Sequence, residues 1–420
     1  MPNRAESLVW MRNERENLLS AVTHADTQPR RAIALSTDLA AFLLQEGPWP
    51  RAVDLHQNAA AAAHQHGDRS GEAGALWNLA RVRQATGASS EAIGLMERAL
   101  TIYRDIGDRQ GEANTLAELG RTRFATADPA EAAAAAEQAL VIYQDIGDRR
   151  GEANALSHLA RVRQLRGDFP GATGLLERAL PIYHEVGDAL GEANTLWDLG
   201  GAEFVAGDYP AAGRLQERAV VIYRDIGSLH GEANALWDLG RVRHATHDYA
   251  ASAHLNEQAL VIYQEIGHRH GEANALAGLG RVRHSTGDFD AAAGLYEQAL
   301  AITREIGHRH SEASALLDLG RTGLAARDFT AAADFLDQAL KIFQDIGDRQ
   351  SEAETLNETA ELIARTVGPH EALDIYQQAL HLARQTSNPV NEAMALEGTA
   401  RCLAQLSTPA TPPSTPNPDH

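Results

Sequence analysis

The chain has 420 residues, of which 44% are hydrophobic and 22% charged, a composition typical of a folded, soluble protein. Its formal net charge of −20 argues against nucleic acid as a partner, because phosphate contacts need a basic surface. A single cysteine, Cys402, excludes a disulfide within the chain. The sequence contains no long apolar run of the kind that forms a membrane segment or a secretion signal. We therefore expect a cytoplasmic protein with no membrane partner.

The first part of the chain is less regular than the rest. Residues 1–28 are predicted to form an N-terminal helix around the charged stretch from Val9 to Leu18. Residues 29–68 carry two helical patterns, AIALSTDLAAFLLQEG and AVDLHQNAAAAAHQHG. We interpret them as a degenerate copy of the unit that follows.

Residues 69–388 are predicted to contain eight tandem units of forty residues, because Glu followed by Ala recurs every forty positions from Glu72 to Glu392. Each unit has a first helix, such as GEANALWDLGRVRHAT (231–246), and a second helix, such as AASAHLNEQALVIYQEIG (250–267). Gly followed by Asp, as at Gly107 and Asp108, ends one helix and caps the next. The recurring Glu then lies in the first turn, where the helix dipole favours a negative charge.

The end of the chain is predicted to be a helix followed by a tail. Residues 389–407 are expected to cover the exposed apolar face of the last unit. Residues 408–420 are rich in Pro and are expected to be disordered.

The repeat itself resembles the tetratricopeptide repeat. Leu236 and Leu239-Gly240 are followed by Asp248-Tyr249 and then by Ala259-Leu260, with small residues where the two helices approach each other. The resemblance implies an all-α fold, a right-handed superhelical solenoid of antiparallel helix pairs whose first helices line a concave groove. The unit is longer than the common form of about 34 residues, and resembles the long variant of Pins-like polarity adaptors. It departs from the family pattern at Arg243, where Tyr is usual.

The stretch from Val9 to Leu18 resembles the helix that precedes the tetratricopeptide arm of actinobacterial regulators of the SARP and STAND-ATPase kind. This resemblance implies a sensor or effector-binding arm in bacterial signalling or transcriptional regulation, without its DNA-binding and NTPase modules.

Helical phase predicts which side chains of the first helices face the groove. Relative to Asn234, the side chains of Trp237, Arg241 and His244 fall within a stripe about 80° wide, whereas Leu236 points to the opposite side. We call this set the first-helix stripe. It contains Asn114, Asn154, Asn194, Asn234, Asn274, Trp77, Trp197, Trp237, Arg81, Arg121, Arg161, Arg241, Arg281, Phe124, Phe204, His244 and His284.

The stripe is predicted to hold a partner segment. Amides can bind the backbone of an extended peptide without reading its sequence, Trp supplies apolar contacts, and Arg can pair with acidic side chains of the partner. The alternative is that the Asn and Arg side chains bond to one another and to Asp198, Asp238 or Asp318. A second Arg row, which includes Arg83, Arg163 and Arg243, is predicted to pair with carboxylates between helices.

No catalytic motif was found. The only lysine, Lys341, lies between Leu340 and Ile342, so there is no phosphate-binding Gly-Lys-Ser/Thr sequence. His268-Arg-His270 and His308-Arg-His310 align with Asp108-Arg-Gln110 in another unit and lack nearby Cys, so we expect no metal site and no cofactor.

The sequence therefore predicts a non-enzymatic scaffold that binds another protein or peptide. Three alternatives stay open. A peptide or small-molecule sensor would show one enclosed pocket near Trp197, Trp237 and His244. An enzyme would show one cluster of perturbed titratable groups, and self-association could follow from exposed array ends.

Overall fold

The structure, a computed structural model, describes residues 49–126 and 128–407. It also describes ten isolated earlier positions: Trp10, Asn13, Glu14, Asn17, Ala34, Ser36, Leu39, Ala40, Phe42 and Leu44. Most of the predicted N-terminal helix, much of the degenerate first unit and the predicted tail at 408–420 lie outside the described residues.

The described part is all-α, and the chain divides into two compact units at Ala202 and Glu203. The first unit contains α1 Trp49–Gln65, α2 Arg69–Ala85, α3 Ser89–Ile106, α4 Arg109–Ala125, α5 Pro129–Ile146, α6 Arg149–Leu165, α7 Phe169–Glu185 and most of α8 Ala189–Ala206. The second contains the end of α8 and α9 Tyr209–Asp225, α10 Leu229–Ala245, α11 Tyr249–Glu265, α12 Arg269–Ser285, α13 Phe289–Glu305, α14 Arg309–Ala326, α15 Phe329–Ile346, α16 Arg349–Thr366, α17 Pro369–Gln385 and α18 Pro389–Ser407.

From α1 to α7 in the first unit and from α9 to α18 in the second, each helix packs against the next one along the chain, and first helices of successive repeats also touch, as α4 and α6 do. Connections of two or three residues force neighbouring helices to run antiparallel. The predicted all-α solenoid of tandem helix pairs is therefore confirmed. Over the residues described, no helix combines the length and the apolar character needed to cross a bilayer.

Helix boundaries follow the predicted turn chemistry. The Asp108 side chain caps α4 by accepting a hydrogen bond from the Gly111 N–H at 2.9 Å, and Gly107 before it has a φ of 71°. Such a left-handed residue ends a helix at little cost only when it lacks a Cβ. The same Asp cap recurs at Asp148, Asp168 and Asp248.

The recurring Glu of the first turn does more than complement the helix dipole. Glu112 is 8% exposed and is bound from two sides, by Arg104 of the preceding helix and by Arg109 of its own, both at 2.9 Å. Glu312 repeats the arrangement with Arg304 and Arg309 at 3.1 Å. Each such carboxylate therefore ties the end of one repeat to the beginning of the next.

A tyrosine of the second helix sets the spacing between repeats. The Tyr223 ring lies where a side chain on Gly231 would have to be, so a methyl group at Gly231 would collide with ring carbons. The same pairing is found for Tyr103 with Gly111, Tyr143 with Gly151, Tyr183 with Gly191, and Tyr263 with Gly271. This explains why the first turn of these first helices contains Gly rather than a residue with a higher helix propensity.

The hydroxyl of the same tyrosine reaches the recurring Asn. Tyr143 donates to Asn114 Oδ1 at 2.9 Å, Tyr183 to Asn154 Oδ1 at 2.8 Å and Tyr263 to Asn234 Oδ1 at 2.7 Å. Burial raises the pKa of these tyrosines, so the phenols stay protonated and donate.

Gly231→Ala should destabilise the protein by about 1–3 kcal/mol, because the new methyl group forces the Tyr223 ring out of its position. Gly294→Ala is the matched control, since nothing lies within 4 Å of a Cβ at this helical glycine. It should be neutral or stabilising by up to about 1 kcal/mol. Thermal and denaturant unfolding measure both, and equal losses would contradict the packing described.

A double-mutant cycle of Asn234→Ala and Tyr263→Phe should give a coupling of about 1 kcal/mol, the contribution of a typical hydrogen bond. Asn274→Ala combined with Tyr263→Phe is the control, because no hydrogen bond joins these two side chains. Unfolding free energies give both couplings, and a zero value for the first pair would refute the bond.

Candidate partner-binding site

Every member of the first-helix stripe lies on the accessible side of its helix. Asn114, Asn154, Arg121 and Arg161 are exposed, and the other members are half-buried. Leu236 and Gly240, predicted to point the other way, are buried. The helical phase read from the sequence therefore agrees with the burial pattern.

The asparagines of the stripe are partly occupied. In Asn114, Asn154 and Asn234, the side-chain oxygen accepts the tyrosine hydroxyl described above. The tyrosine bonds leave the Nδ2 groups of Asn114 and Asn154 available, whereas Asn234 Nδ2 lies 3.4 Å from His230 Nδ1 and has one N–H left to offer. The asparagines of the stripe, which were predicted to offer both donors and acceptors, therefore offer mainly hydrogen-bond donors.

The arginines of the stripe differ in their partners. Arg121 pairs with Glu118 and Arg241 with Asp238 at 2.8 Å, three residues earlier on the same helix. Arg161 instead lies 3.8 Å from Asp198 of α8. At Arg281 the residue three positions earlier is Gly278, which supplies no carboxylate.

The aromatic members stack with these arginines. The Arg81 guanidinium lies 4.8 Å from the centre of the Trp77 ring. The Arg241 guanidinium lies 4.5 Å from the Phe204 ring and 5.1 Å from the Trp237 ring. Cation–π contacts at these distances are weakly attractive and place the guanidinium groups over the aromatic faces. Trp237 also donates from Nε1 to the Asn274 backbone oxygen at 3.1 Å.

The helix-end members contact the following repeat. His244 Nε2 lies 3.0 Å from Ser285 Oγ, and His284 Nδ1 lies 3.2 Å from Thr322 Oγ1. Burial lowers the pKa of both histidines, which favours neutral imidazoles. Phe124 meets the His158 ring edge-on at 5.8 Å.

A cavity in the first unit brings four stripe residues together. It has a volume of 250 Å³ and is lined by Arg121, Asn154, Arg161 and Asn194 of the stripe. His158 and Asp198 complete its polar wall, and His158 Nε2 is buried without a hydrogen-bond partner. Burial lowers the pKa of His158, so its imidazole is neutral near pH 7.

The second unit has two further cavities. One of 290 Å³ is lined by Phe204, Arg241, His244 and Arg281 of the stripe. The other, of 330 Å³, is lined by Trp237, Asn274 and Arg281. Trp77, Trp197, Arg81, Phe124, Asn114, Asn234 and His284 line none of the three cavities.

The 290 Å³ cavity is lined by two residues that depart from the repeat, Gly278 and Asn256. Gly278 stands where other repeats have Glu118, Asp198 or Asp318. Asn256, 1% exposed, stands where Leu176 or Tyr296 fills the core, and its Oδ1 has no hydrogen-bond partner. Gly278 and Asn256 were not singled out from the sequence because the sequence analysis considered residues that recur in every repeat. These two positions differ from the corresponding residues of the other repeats, and that difference could have identified them.

The His-Arg-His sequences have a structural role. His268 Nδ1 accepts from the Gly271 N–H at 3.0 Å, and His308 Nδ1 accepts from the Ser311 N–H at 3.3 Å. They replace the Asp caps of other repeats. Within the described ranges, no group of three or more His, Cys, Asp or Glu side chains is arranged to hold a metal ion.

The arginines of the second row pair with carboxylates between helices, as predicted. Arg83 pairs with Glu91 at 3.0 Å, Arg163 with Asp168 at 3.3 Å and Arg243 with Glu217 at 2.5 Å. These carboxylates belong to second helices or to the turns before them, so this row joins neighbouring helices.

Solved structures of similar fold include regulators and sensors. One is a Signal Transduction ATPase with Numerous Domains with a tetratricopeptide repeat sensor from Pyrococcus horikoshii, at 15% identity and a TM-score of 0.53, over 84% of this chain and 50% of that one. A Rap protein complexed with competence and sporulation factor matches at 14% identity and 0.53, over 89% and 98%. The apo form of the quorum sensor NprR from B. thuringiensis matches at 10% identity and 0.54, over 79% and 99%.

At these identities the likeness shows the fold alone. This chain spans half the length of the Pyrococcus protein. No match was found among curated proteins.

The family is shown by the sequence itself. Residues 30–105, 71–145, 112–185, 151–225, 191–265, 231–305 and 271–345 each match the description "Tetratricopeptide repeat". Together these overlapping segments cover residues 30–345, well over half of the chain. The chain therefore belongs to the tetratricopeptide repeat family.

Proposed function

We propose that this chain is a non-enzymatic scaffold that binds an extended segment of another protein along the first-helix stripe. The observation that carries the proposal is the clustering of Arg121, Asn154, Arg161 and Asn194 around one accessible cavity. The family, and similar structures that include a Rap protein complexed with competence and sporulation factor and the quorum sensor NprR, support a peptide or protein partner.

The tyrosine bonds give the stripe a defined chemistry. Because Asn114, Asn154 and Asn234 use their side-chain oxygens internally, they offer N–H groups to a partner. Backbone carbonyls of an extended segment are matching acceptors, and they are present in every peptide. The asparagines therefore provide affinity, and selectivity comes from the arginines and aromatic rings beside them.

The arginines favour acidic side chains in the partner. Exposed guanidiniums at Arg121 and Arg161 pair with carboxylates of the scaffold, and a partner carboxylate can add to or replace these pairs. Arg281 has no carboxylate on its own helix three residues before it, and its charge instead interacts with the buried Asp318 of α14.

Within the second unit, cavities of 290 and 330 Å³ both border the stripe, which favours a segment with several side-chain contacts over one enclosed small ligand. For the sensor alternative, we infer a peptide rather than a small molecule as the ligand. We place the scaffold in the bacterial cytoplasm, as the sensor arm of a signalling or transcriptional regulator, on the resemblance of the residues between Val9 and Leu18.

Peptides selected from a displayed random library against the full chain test the proposal. Arg121, Arg161 and Arg241 changed together to Gln should weaken binding of the selected peptides at least about ten-fold, because partner carboxylates lose their counterions. Fluorescence anisotropy measures the affinities.

The matched control changes Arg83, Arg163 and Arg243 to Gln, which removes the same charge from the row that joins helices. Affinity should then stay within about two-fold, once unfolding curves show that both variants are folded. Equal losses in the two variants, or no loss in either, would remove the stripe as the binding site.

Asp198 makes the first-unit cavity sensitive to pH. Burial raises the pKa of Asp198 from 3.8 to about 6, and Arg161 opposes this shift in part. The folded protein therefore binds a proton more tightly than the unfolded chain between these two values. Stability is greatest below the unfolded pKa and falls as pH rises through about 6.

Asp198→Asn should remove this pH dependence. The variant should gain about 2 kcal/mol relative to wild type on going from pH 4 to pH 7.5, because the cost of the buried carboxylate disappears. Melting temperatures across this range measure the difference. Parallel curves for the two proteins would show that Asp198 ionises as easily in the fold as in water.

A further inference from the structure

The 330 Å³ cavity of the second unit lies where one repeat lacks its tyrosine. Position 303 of α13 corresponds to Tyr103, Tyr143, Tyr183, Tyr223 and Tyr263 in other repeats, but the residue is Thr303. Thr303 lines the cavity together with Ala299 of the same helix. We call this space the Thr303 cavity.

The residue that normally receives the ring has changed as well. Ser311 at the start of α14 replaces the glycine of the tyrosine-containing repeats, where a methyl group would collide with the ring. With Thr at 303 there is no ring to collide with, so Ser311 fits and lines the cavity. The ring is missing because of Thr303, and Ser311 stands where a glycine lies beside the ring in the tyrosine-containing repeats.

The acceptor of the missing hydroxyl has been kept. Asn274 occupies the position of Asn114, Asn154 and Asn234, each of which accepts from the tyrosine 29 residues later. In the next repeat both members have changed, to Ser314 and Phe343. Asn274 thus keeps the phenol acceptor in a repeat that has no tyrosine at position 303 to donate to it, and it lines the Thr303 cavity.

We propose that the Thr303 cavity binds the side chain of a tyrosine from the partner, in the position that the repeat's own tyrosine takes elsewhere. The proposal deepens the proposed function and rests on it for the source of the tyrosine. Ala277 and Ala315 provide apolar walls for the ring, and the hydroxyl donates to Asn274 Oδ1.

The volume and the position suit this occupant. The space is that of roughly eleven water molecules, enough for a phenol ring. Trp237 and Arg281, both members of the first-helix stripe, also line it. A segment bound along the stripe would therefore pass the opening, and its tyrosine would act as a buried aromatic anchor.

The test uses p-cresol, the side chain of tyrosine, as the probe and toluene, the side chain of phenylalanine, as its comparison. Ligand-observed NMR titration of the full chain should show saturable p-cresol binding with a dissociation constant on the order of 1 mM. Thr303→Tyr combined with Ser311→Gly should abolish that binding and raise the melting temperature, because the chain then fills the cavity itself.

A second variant keeps the test independent of how the first one folds. Asn274→Ala should weaken p-cresol about five-fold and leave toluene unchanged, because only the phenol loses a hydrogen bond. Asn114→Ala is the matched control, since Tyr143 already occupies its acceptor, and it should leave p-cresol binding unchanged.

Absence of saturable binding to wild type, equal binding to the filled variant, or equal weakening of p-cresol and toluene by Asn274→Ala would each overturn the proposal. Its failure is distinguishable from failure of the proposed function. If selected peptides bind the filled variant as tightly as wild type but lose affinity in the stripe variant, the scaffold function stands and the tyrosine site does not.

Discussion

The contact on which the repeats depend is the packing of the tyrosine ring against the glycine in the first turn of the next first helix. A flat ring against a backbone without a Cβ sets how closely successive repeats approach, and the hydroxyl ties the same ring to the recurring Asn. Each tyrosine thus joins its own repeat to the following one. The buried Glu of the first turn, bound by arginines from both sides, reinforces the same junction.

This arrangement links the architecture to the candidate binding chemistry. An asparagine that accepts from a buried phenol is held in one orientation, with its N–H groups turned away from the acceptor side. The stripe is thereby preorganised, and little side-chain freedom remains to be lost on binding. Where the tyrosine or a helix-face acid is replaced, as at Thr303 and Gly278, the regular packing leaves a cavity beside the same stripe.

Charged side chains are paired differently at the repeat junctions and on the first-helix stripe. The chain is strongly acidic, yet many carboxylates are used internally, as Glu112 and Glu312 are by pairs of arginines. The arginines of the stripe have fewer or weaker partners, such as the 3.8 Å approach of Arg161 to Asp198. Under the proposed function these arginines pair with acidic side chains of a partner protein, whereas nucleic acid, with its dense negative charge, would meet repulsion from an acidic molecule.

The sequence by itself determined the repeat period, the helix pairs, their Asp caps and the side of the helix on which Asn234, Trp237 and Arg241 lie. These features depend on residues within a few positions of one another, and a repeat makes local signals add in phase. Only the tertiary structure decided that Tyr263 occupies the oxygen of Asn234, that Asp198 is buried beside Arg161, and that Thr303 leaves a cavity. Those outcomes depend on side chains from different helices sharing one small volume, and helical periodicity carries no information about which of them fills it.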